Sequence, residues 1–317
     1  MRVALVTPIS HGPHFNPGCN QITEGIRYLV RRLVPEAVFV PVEMMHDIPE
    51  HWEMAATCDV AILCGNPRFT LSGPSFWECD VWYRLAGLQA AGIRVIDGWG
   101  GAAHRQDVGM SVEDMARAII NLPRTGHYLR IASKIHRRIT RDALMQRIYE
   151  WAGIESKLLP CSSWYAAKES GIVPATRQWN AVALYAIPYH EGGIEAVHRM
   201  IEQAGEKARV IASTWGDYAW TRAHGIASEL MPDAASILRT FAACKRVIAM
   251  RLHAAIPAAS LGCDVGSISI DSRILTLDPF GLLSIPLDRV GDEPIPFGQA
   301  TAPDEAAILA TLKEALC

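Results

Sequence analysis

Arg251 and His253 stand two residues apart in Met250-Arg-Leu-His-Ala-Ala-Ile-Pro-Ala-Ala-Ser-Leu-Gly262, where an apolar strand pattern ends and a run of small helix formers begins. An arginine and a histidine at a strand-to-helix junction suit anion chemistry. The guanidinium can meet a phosphate or carboxylate in two parallel hydrogen bonds, and first-turn amides and the helix dipole add to the attraction. Imidazole can move a proton near neutral pH. Pro257 is expected near the first turn of that helix, where a missing N–H is harmless. A surface arginine and a histidine that only hydrogen-bonds its loop fit the same segment.

Other residues carry similar double readings. Arg141 follows Thr140, a candidate helix cap, and is either a ligand contact or a solvated first-turn residue. Arg273, close to Asp271, is either an anion contact or half of a surface ion pair worth little. Gly18 and Asn20 either touch substrate or only shape the first βα turn. The aromatics of Trp215-Gly-Asp-Tyr-Ala-Trp220 can stack on a sugar, pack as core or form lid contacts. Arg137 and Arg138, with Arg130 and Lys134, read as a solvated helix face. His11 and His14 share a Gly/Pro-rich loop, but no His-x-x-x-His with a neighbouring Glu and no Cys-x-x-Cys occurs. No metal and no cofactor is expected, and the eight cysteines read as buried, reduced thiols.

The elements that must position these residues alternate along the chain. Residues 3–7, 37–42, 60–63 and 93–96 read as strands, and 21–34, 77–91 and 111–122 as helices, the last opening on the cap Ser111-Val-Glu-Asp114. The pattern loosens between 160 and 178 and then restarts. Strands are expected at 182–187, 210–213, 247–250 and 265–270, and helices at 194–204, 234–244, from about 253, and 304–316. Such alternation implies parallel sheets covered on both faces, with ligands at the carboxyl ends of the strands.

Composition limits the alternatives. The 317 residues are half hydrophobic and a fifth charged, with 30 Lys+Arg against 33 Asp+Glu and a formal net charge of −3. That profile excludes a disordered chain and a protein that coats nucleic acid through a broad basic surface. No apolar stretch is long enough to span a bilayer, and residues 1–10 read as a first strand, so a cytoplasmic protein is expected.

Several segments together resemble the polysaccharide pyruvyl transferase family. They are Arg251-Leu-His-Ala254, Gly262, Ile268-Ser-Ile-Asp271 with Arg273, and Phe280-Gly-Leu282. Upstream, Ile139-Thr-Arg-Asp142, a helix to Trp151 and Gly153-Ile-Glu-Ser-Lys-Leu-Leu-Pro160 are similar to the family's Arg-Asp, Gly-Ile and Pro-Asp pattern. Asn16-Pro-Gly-Cys-Asn-Gln-Ile-Thr-Glu-Gly25 is similar to its Asn-x-Gly-Asp motif. Asp59-Val-Ala-Ile-Leu-Cys-Gly65 and Asp97-Gly-Trp-Gly-Gly101 resemble its glycine-containing strand ends. The resemblance runs in order from about residue 1 to 285.

It implies a glycosyltransferase-B-like α/β fold of two Rossmann-like domains, residues 1–165 on the acceptor side and 166–317 on the donor side. The implied reaction moves pyruvate from phosphoenolpyruvate to a hydroxyl pair of a glycan or glycan precursor, as a ketal. The implied roles are catalysis for His253, as general acid, and Arg251, and substrate binding for Arg141, Arg273, Gly18 and Asn20. The expected partners are phosphoenolpyruvate and a carbohydrate; a homo-oligomer is left open. Four departures bear on the acceptor and the reaction. Cys19 and Cys161 stand where the family has acids, Arg273 stands at a lysine position, and Gly65-Asn-Pro67 lacks a glycine run. The competing readings are a nucleotide-sugar glycosyltransferase of the same fold and a family member that binds without catalysis.

Overall fold

The computed structural model describes residues 1–9, 17–46, 48–70, 73–74, 80–104, 110–190, 192–231 and 233–317. His11, His14, Asn16 and Cys79 lie outside the described residues.

The first half builds one sheet. Strands β1 (Arg2–Thr7), β2 (Val38–Glu43), β3 (Val60–Cys64) and β6 (Arg94–Ala102) lie in the order β2-β1-β3-β6, all parallel. Next to β6 come β7 (Arg137–Thr140) and β8 (Lys157–Leu158). Short β4 (Pro67–Thr70) also joins β6 and carries antiparallel β5 (Gly73–Pro74). Every residue of β3 is buried, as a central parallel strand covered on both faces requires. The connecting helices are α1 (Pro17–Leu33), α2 (Pro49–Ala55), α3 (Val81–Ala90), α4 (Val112–Ile120), α5 (Thr125–Ala132) and α6 (Ala143–Trp151). Ser111 caps α4 as expected, its hydroxyl accepting from the Asp114 amide at 3.1 Å.

Three local expectations are corrected. Helix α1 begins at Pro17, not Gln21, so Gly18 and Asn20 belong to its first turn. Proline starts a helix well because its fixed φ suits the first position and its missing N–H has no helical partner there. Arg137 and Arg138 lie on strand β7, not on a helix face, and Arg138 donates to the carbonyls of Ala132, Ile135 and Glu155. The cap of α6 is Asp142, which accepts from the Met145 amide, and not Thr140, which ends β7.

The second half follows a short helix α7 (Ala166–Glu169) and repeats the architecture. Its six parallel strands are β9 (Trp179–Leu184), β10 (Ala208–Ala212), β11 (Ser228–Leu230), β12 (Cys244–Ala249), β13 (Asp264–Ser269) and β14 (Ser284–Pro286), ordered β11-β10-β9-β12-β13-β14. The chain builds outward from β9 in one direction, then restarts at β12 in the other, so a crevice opens between the carboxyl ends of β9 and β12. Helices α8 (Gly193–Ala204), α9 (Trp215–Ala223), α10 (Ala234–Ala242) and α11 (Leu252–Ser260) connect these strands. Pro257 lies inside α11 and beyond its first turn, which removes the amide that would bond the His253 carbonyl.

The two sheets share an apolar cluster. It joins Val3, Ile22 and Ile62 of the first half to Ala181, Val247 and Ile256 of the second, and holds Trp164 stacked on Phe280 at 5.2 Å. Gly25 permits the close approach of α1 to the turn at Ser162, where any Cβ would overlap the Ser162 carbonyl. The last helix, α12 (Glu305–Leu316), crosses back to the first half. Glu305 there bonds Tyr28 of α1, and Arg94 of β6 holds the carbonyls of Leu316 and Cys317. No described helix is long and apolar enough to cross a membrane.

Candidate active site

Loops from the carboxyl ends of strands in both sheets converge on a cavity of about 480 Å³, measured to include its open mouth. Asn66 and Pro67 reach it after β3, and Arg141 after β7. Tyr185 reaches it after β9, Arg251 and His253 after β12, and Asp271 and Arg273 after β13.

Arg141 is 1% exposed, so it is no solvated helix residue. A bulge in β6 prepares its place. The pairing of β6 with β7 slips between Asp97 and Gly100, and Trp99 between them takes a left-handed φ of 53° and donates its indole N–H to the Pro160 carbonyl at 2.8 Å. Past the slip, where Gly100 pairs with Thr140, the Gly100 carbonyl accepts the Arg141 amide at 3.0 Å. The Arg141 guanidinium then lies 3.2 Å, through Nη1, from Nε2 of His253. Its buried Nε has no hydrogen-bond partner among the described residues.

A guanidinium can only donate, so Nε2 of His253 accepts and the ring is held neutral in this arrangement. Electrostatics agree. Burial, then the charges of Arg141, Arg251 and Arg273, hold the His253 pKa well below the usual imidazole value. The other side of the ring is set by the first turn of α1. A Cβ on Gly18 would overlap Nδ1 of His253 and come within 2.7 Å of its Cγ and 2.8 Å of its Cβ.

The third wall is a stacked pair of arginines. Arg251 lies 4.5 Å and Arg273 5.4 Å from the centroid of the Tyr185 ring. Arg273 also grips Asp271, with Nε 2.8 and 2.9 Å from its two carboxylate oxygens. The ion pair anticipated from sequence therefore exists, but it lines the cavity at 26% side-chain exposure and is not a surface feature. Burial pulls the Arg273 pKa down, and the hydrogen bonds and charge of Asp271 outweigh it.

The structure thus brings Arg141, Arg251, Arg273 and His253 together and sets Gly18 against them. Asn20 is half-buried on α1 and does not line the cavity. Cys19 does approach: its thiol donates to Asn66 Oδ1 at 2.8 Å, and burial raises its pKa to about 11 against the pull of Arg251 and Arg141. Cys161 is buried beside Ser163 and lies outside the cavity lining. Six described cysteines are buried without disulfides, and Cys317 is exposed. Tyr185 and Asn66 were not anticipated. Tyr185 could have been found by asking which side chain follows each apolar strand, but a left-handed Asn66 (φ 70°) has no spacing signal. Among the described residues no cluster of three His, Cys, Asp or Glu side chains is placed to hold a metal ion.

Residues 119–272 match the family described as Polysaccharide pyruvyl transferase. The matched segment includes Arg141, Arg251 and His253; Gly18, Asn20 and Arg273 fall outside it. Among solved structures, a putative UDP-N-acetylglucosamine 2-epimerase from Listeria monocytogenes is 12% identical with a TM-score of 0.53, over 100% of this chain and 89% of that one. The UDP-GlcNAc 2-epimerase from Methanocaldococcus jannaschii is 8% identical with a TM-score of 0.53, over 99% and 100%. These two likenesses show the shared two-sheet, glycosyltransferase-B-like fold. No curated protein matches the chain in sequence. The family match supports a transferase that modifies polysaccharide.

Proposed function

We propose that this protein transfers pyruvate from phosphoenolpyruvate to two hydroxyls of a sugar, forming a ketal and releasing phosphate. The observation that carries the reading is the meeting of Arg141, Arg251 and Arg273 around His253 at the carboxyl ends of strands from both sheets. A phosphate and a carboxylate on three carbons need several rigid donors at close quarters, which guanidinium forks supply. In this reading residues 1–165 hold the acceptor and residues 166–317 the donor, with Arg141 reaching over from the first half.

His253 then works in a defined order. Neutral in the protein alone, it gains a proton once a multiply charged anion against the ring offsets the burial and the three guanidiniums that hold its pKa down. Protonated, it delivers that proton to C3 of the enol as an acceptor hydroxyl attacks C2, and the attacking hydroxyl's proton returns to the imidazole. The second hydroxyl displaces phosphate, which leaves with the second proton.

Donor choice is tested by thermal unfolding. Phosphoenolpyruvate should raise the melting temperature, because a ligand of the native state at about 100 times its Kd adds about 2.7 kcal/mol. Stabilisation by uridine or guanosine diphosphate sugars, with none from phosphoenolpyruvate, would overturn the reading in favour of a glycosyltransferase.

Gly18→Ala tests the role of His253 without touching it. The new methyl must push the imidazole aside, and a displacement of about 1 Å at a reacting group costs about 10²-fold in turnover. Overpacking of the buried ring should cost about 1–3 kcal/mol of stability, offset in part by the preference of alanine over glycine for a helix. Unchanged turnover in a well-folded variant would place the chemistry away from His253.

A further inference from the structure

One aromatic pair, an exposed Trp215 and a half-buried Tyr218, stands at the same end of the second sheet as this site without belonging to its arginine wall. Trp215 opens α9 after β10, is 55% exposed, and is met edge-on by Tyr218 at 6.1 Å and 87°. An edge-to-face partner steadies an indole while leaving a face of the ring open to a second ligand. The first turn of α9 is tied to the segment that follows β9 by its own hydrogen bonds. Asp217 accepts from Thr214 Oγ1 at 2.6 Å and from the Ile187 amide at 3.1 Å. Ile187 lies two residues beyond Tyr185, the ring on which Arg251 and Arg273 stack. The buried Asp217 carboxylate and Arg251 also feel each other's charge.

We infer that Trp215, backed by Tyr218, is the platform on which the acceptor, held mainly by the first half, lays one neutral pyranose ring across onto the second half beside the arginine pocket. The word acceptor rests on the pyruvyl-transfer reading; the stacking itself rests on the geometry. A neutral sugar offers the guanidiniums no charge, so a surface suited to its C–H face must come from elsewhere along the rim. Among the described residues of the strand-end loops of the second sheet, Trp215 is the large aromatic exposed by more than half. Trp215 follows β10 as Tyr185 follows its neighbour β9, so the ring stands at the same carboxyl end of the second sheet as the pocket.

The test labels the nine tryptophans with fluorine and assigns the Trp215 resonance by its loss in Trp215→Phe. Methyl α- and β-pyranosides of glucose, galactose, mannose and N-acetylglucosamine are titrated with and without phosphoenolpyruvate, and uridine is titrated alongside. The expected result is a saturable shift of the Trp215 resonance by at least one pyranoside. The affinity of that pyranoside, followed in the variants through the ligand's own proton resonances by saturation transfer, should fall about 2- to 12-fold in Trp215→Ala and largely survive in Trp215→Phe. A shift by uridine alone would make the platform a nucleobase site and overturn the inference, as would no shift by any probe. Failure of phosphoenolpyruvate to raise the melting temperature, with the pyranoside shift intact, would instead count against the donor and leave the platform standing.

Discussion

His253→Gln lowers turnover about 10²–10⁴-fold, the usual worth of a positioned general acid, while donor affinity at mildly alkaline pH changes little. Glutamine keeps much of the size and can still accept from Arg141, but it cannot carry a proton to carbon. The pH dependence makes the test sharper. The His253 pKa lies well below 6.5 in the protein alone, because burial and three guanidiniums disfavour the charged ring. An anion bound among those guanidiniums removes most of that repulsion, so the complex holds a proton that the free protein does not. Binding that takes up a proton strengthens as pH falls, here from about pH 8 toward about pH 6. The donor's own phosphate also titrates near about pH 6, but it does so equally with both proteins. Calorimetry of phosphoenolpyruvate binding across that range should therefore show a gain toward low pH in the wild type that is missing from His253→Gln. Parallel curves and equal turnover would mean that the proton reaches the enol carbon by another route.

Arg68→Met destabilises the fold by about 3–5 kcal/mol, the cost of stranding one partner of a buried ion pair. Arg68 is fully buried, with Nε 2.6 Å from Asp97 Oδ1 and other guanidinium nitrogens on the carbonyls of Leu63, Gly65, Asn66 and Gly98. Asp97 is buried too and accepts from the Tyr149 hydroxyl at 2.6 Å. Removing the cation leaves that carboxylate in an apolar setting with one donor, and leaves the turn carrying Asn66 and Pro67 without its anchor. Urea unfolding midpoints read the loss. The double variant Arg68→Met with Asp97→Asn should recover part of it, because the uncompensated charge is gone. A loss under about 1 kcal/mol in the single variant would reduce the pair to the worth of an exposed one.

The alternation of strands and helices was legible because strands buried on both faces write continuous apolar runs and helices buried on one face write a period of about 3.6 residues. Strands β1, β3 and β12 and helices α8 and α12 lie within a few residues of where the pattern puts them. The short strands β4, β5 and β8, of four, two and two residues, left no trace, since two to four residues cannot express a period. The cavity-lining residues were legible in part. Arg251 and His253 sit where a strand run meets a helix run, and resemblance drew in Arg141 and Arg273. What spacing could not show is that Arg141 and His253, 112 residues apart, touch. Nor could it show that Gly18 shapes the site by lacking a side chain, because its neighbour comes from the far half of the chain.

In the proposed reading, the apolar cluster shared by the two sheets bears on the kinetics of donor capture as well as on the stability of the fold. Halves that swung freely would have to be gathered each time a ligand arrived, and the entropy lost in gathering them would be subtracted from affinity. Here α1, the turn at Ser162 and α11 hold the halves in contact, so the three guanidiniums stand assembled before the anion reaches them. Encounter is then limited by diffusion and orientation, hastened by the local positive potential, and slowed by salt. By the same logic, and in the proposed reading, the Trp164–Phe280 stack at the seam would favour donor binding without touching the donor.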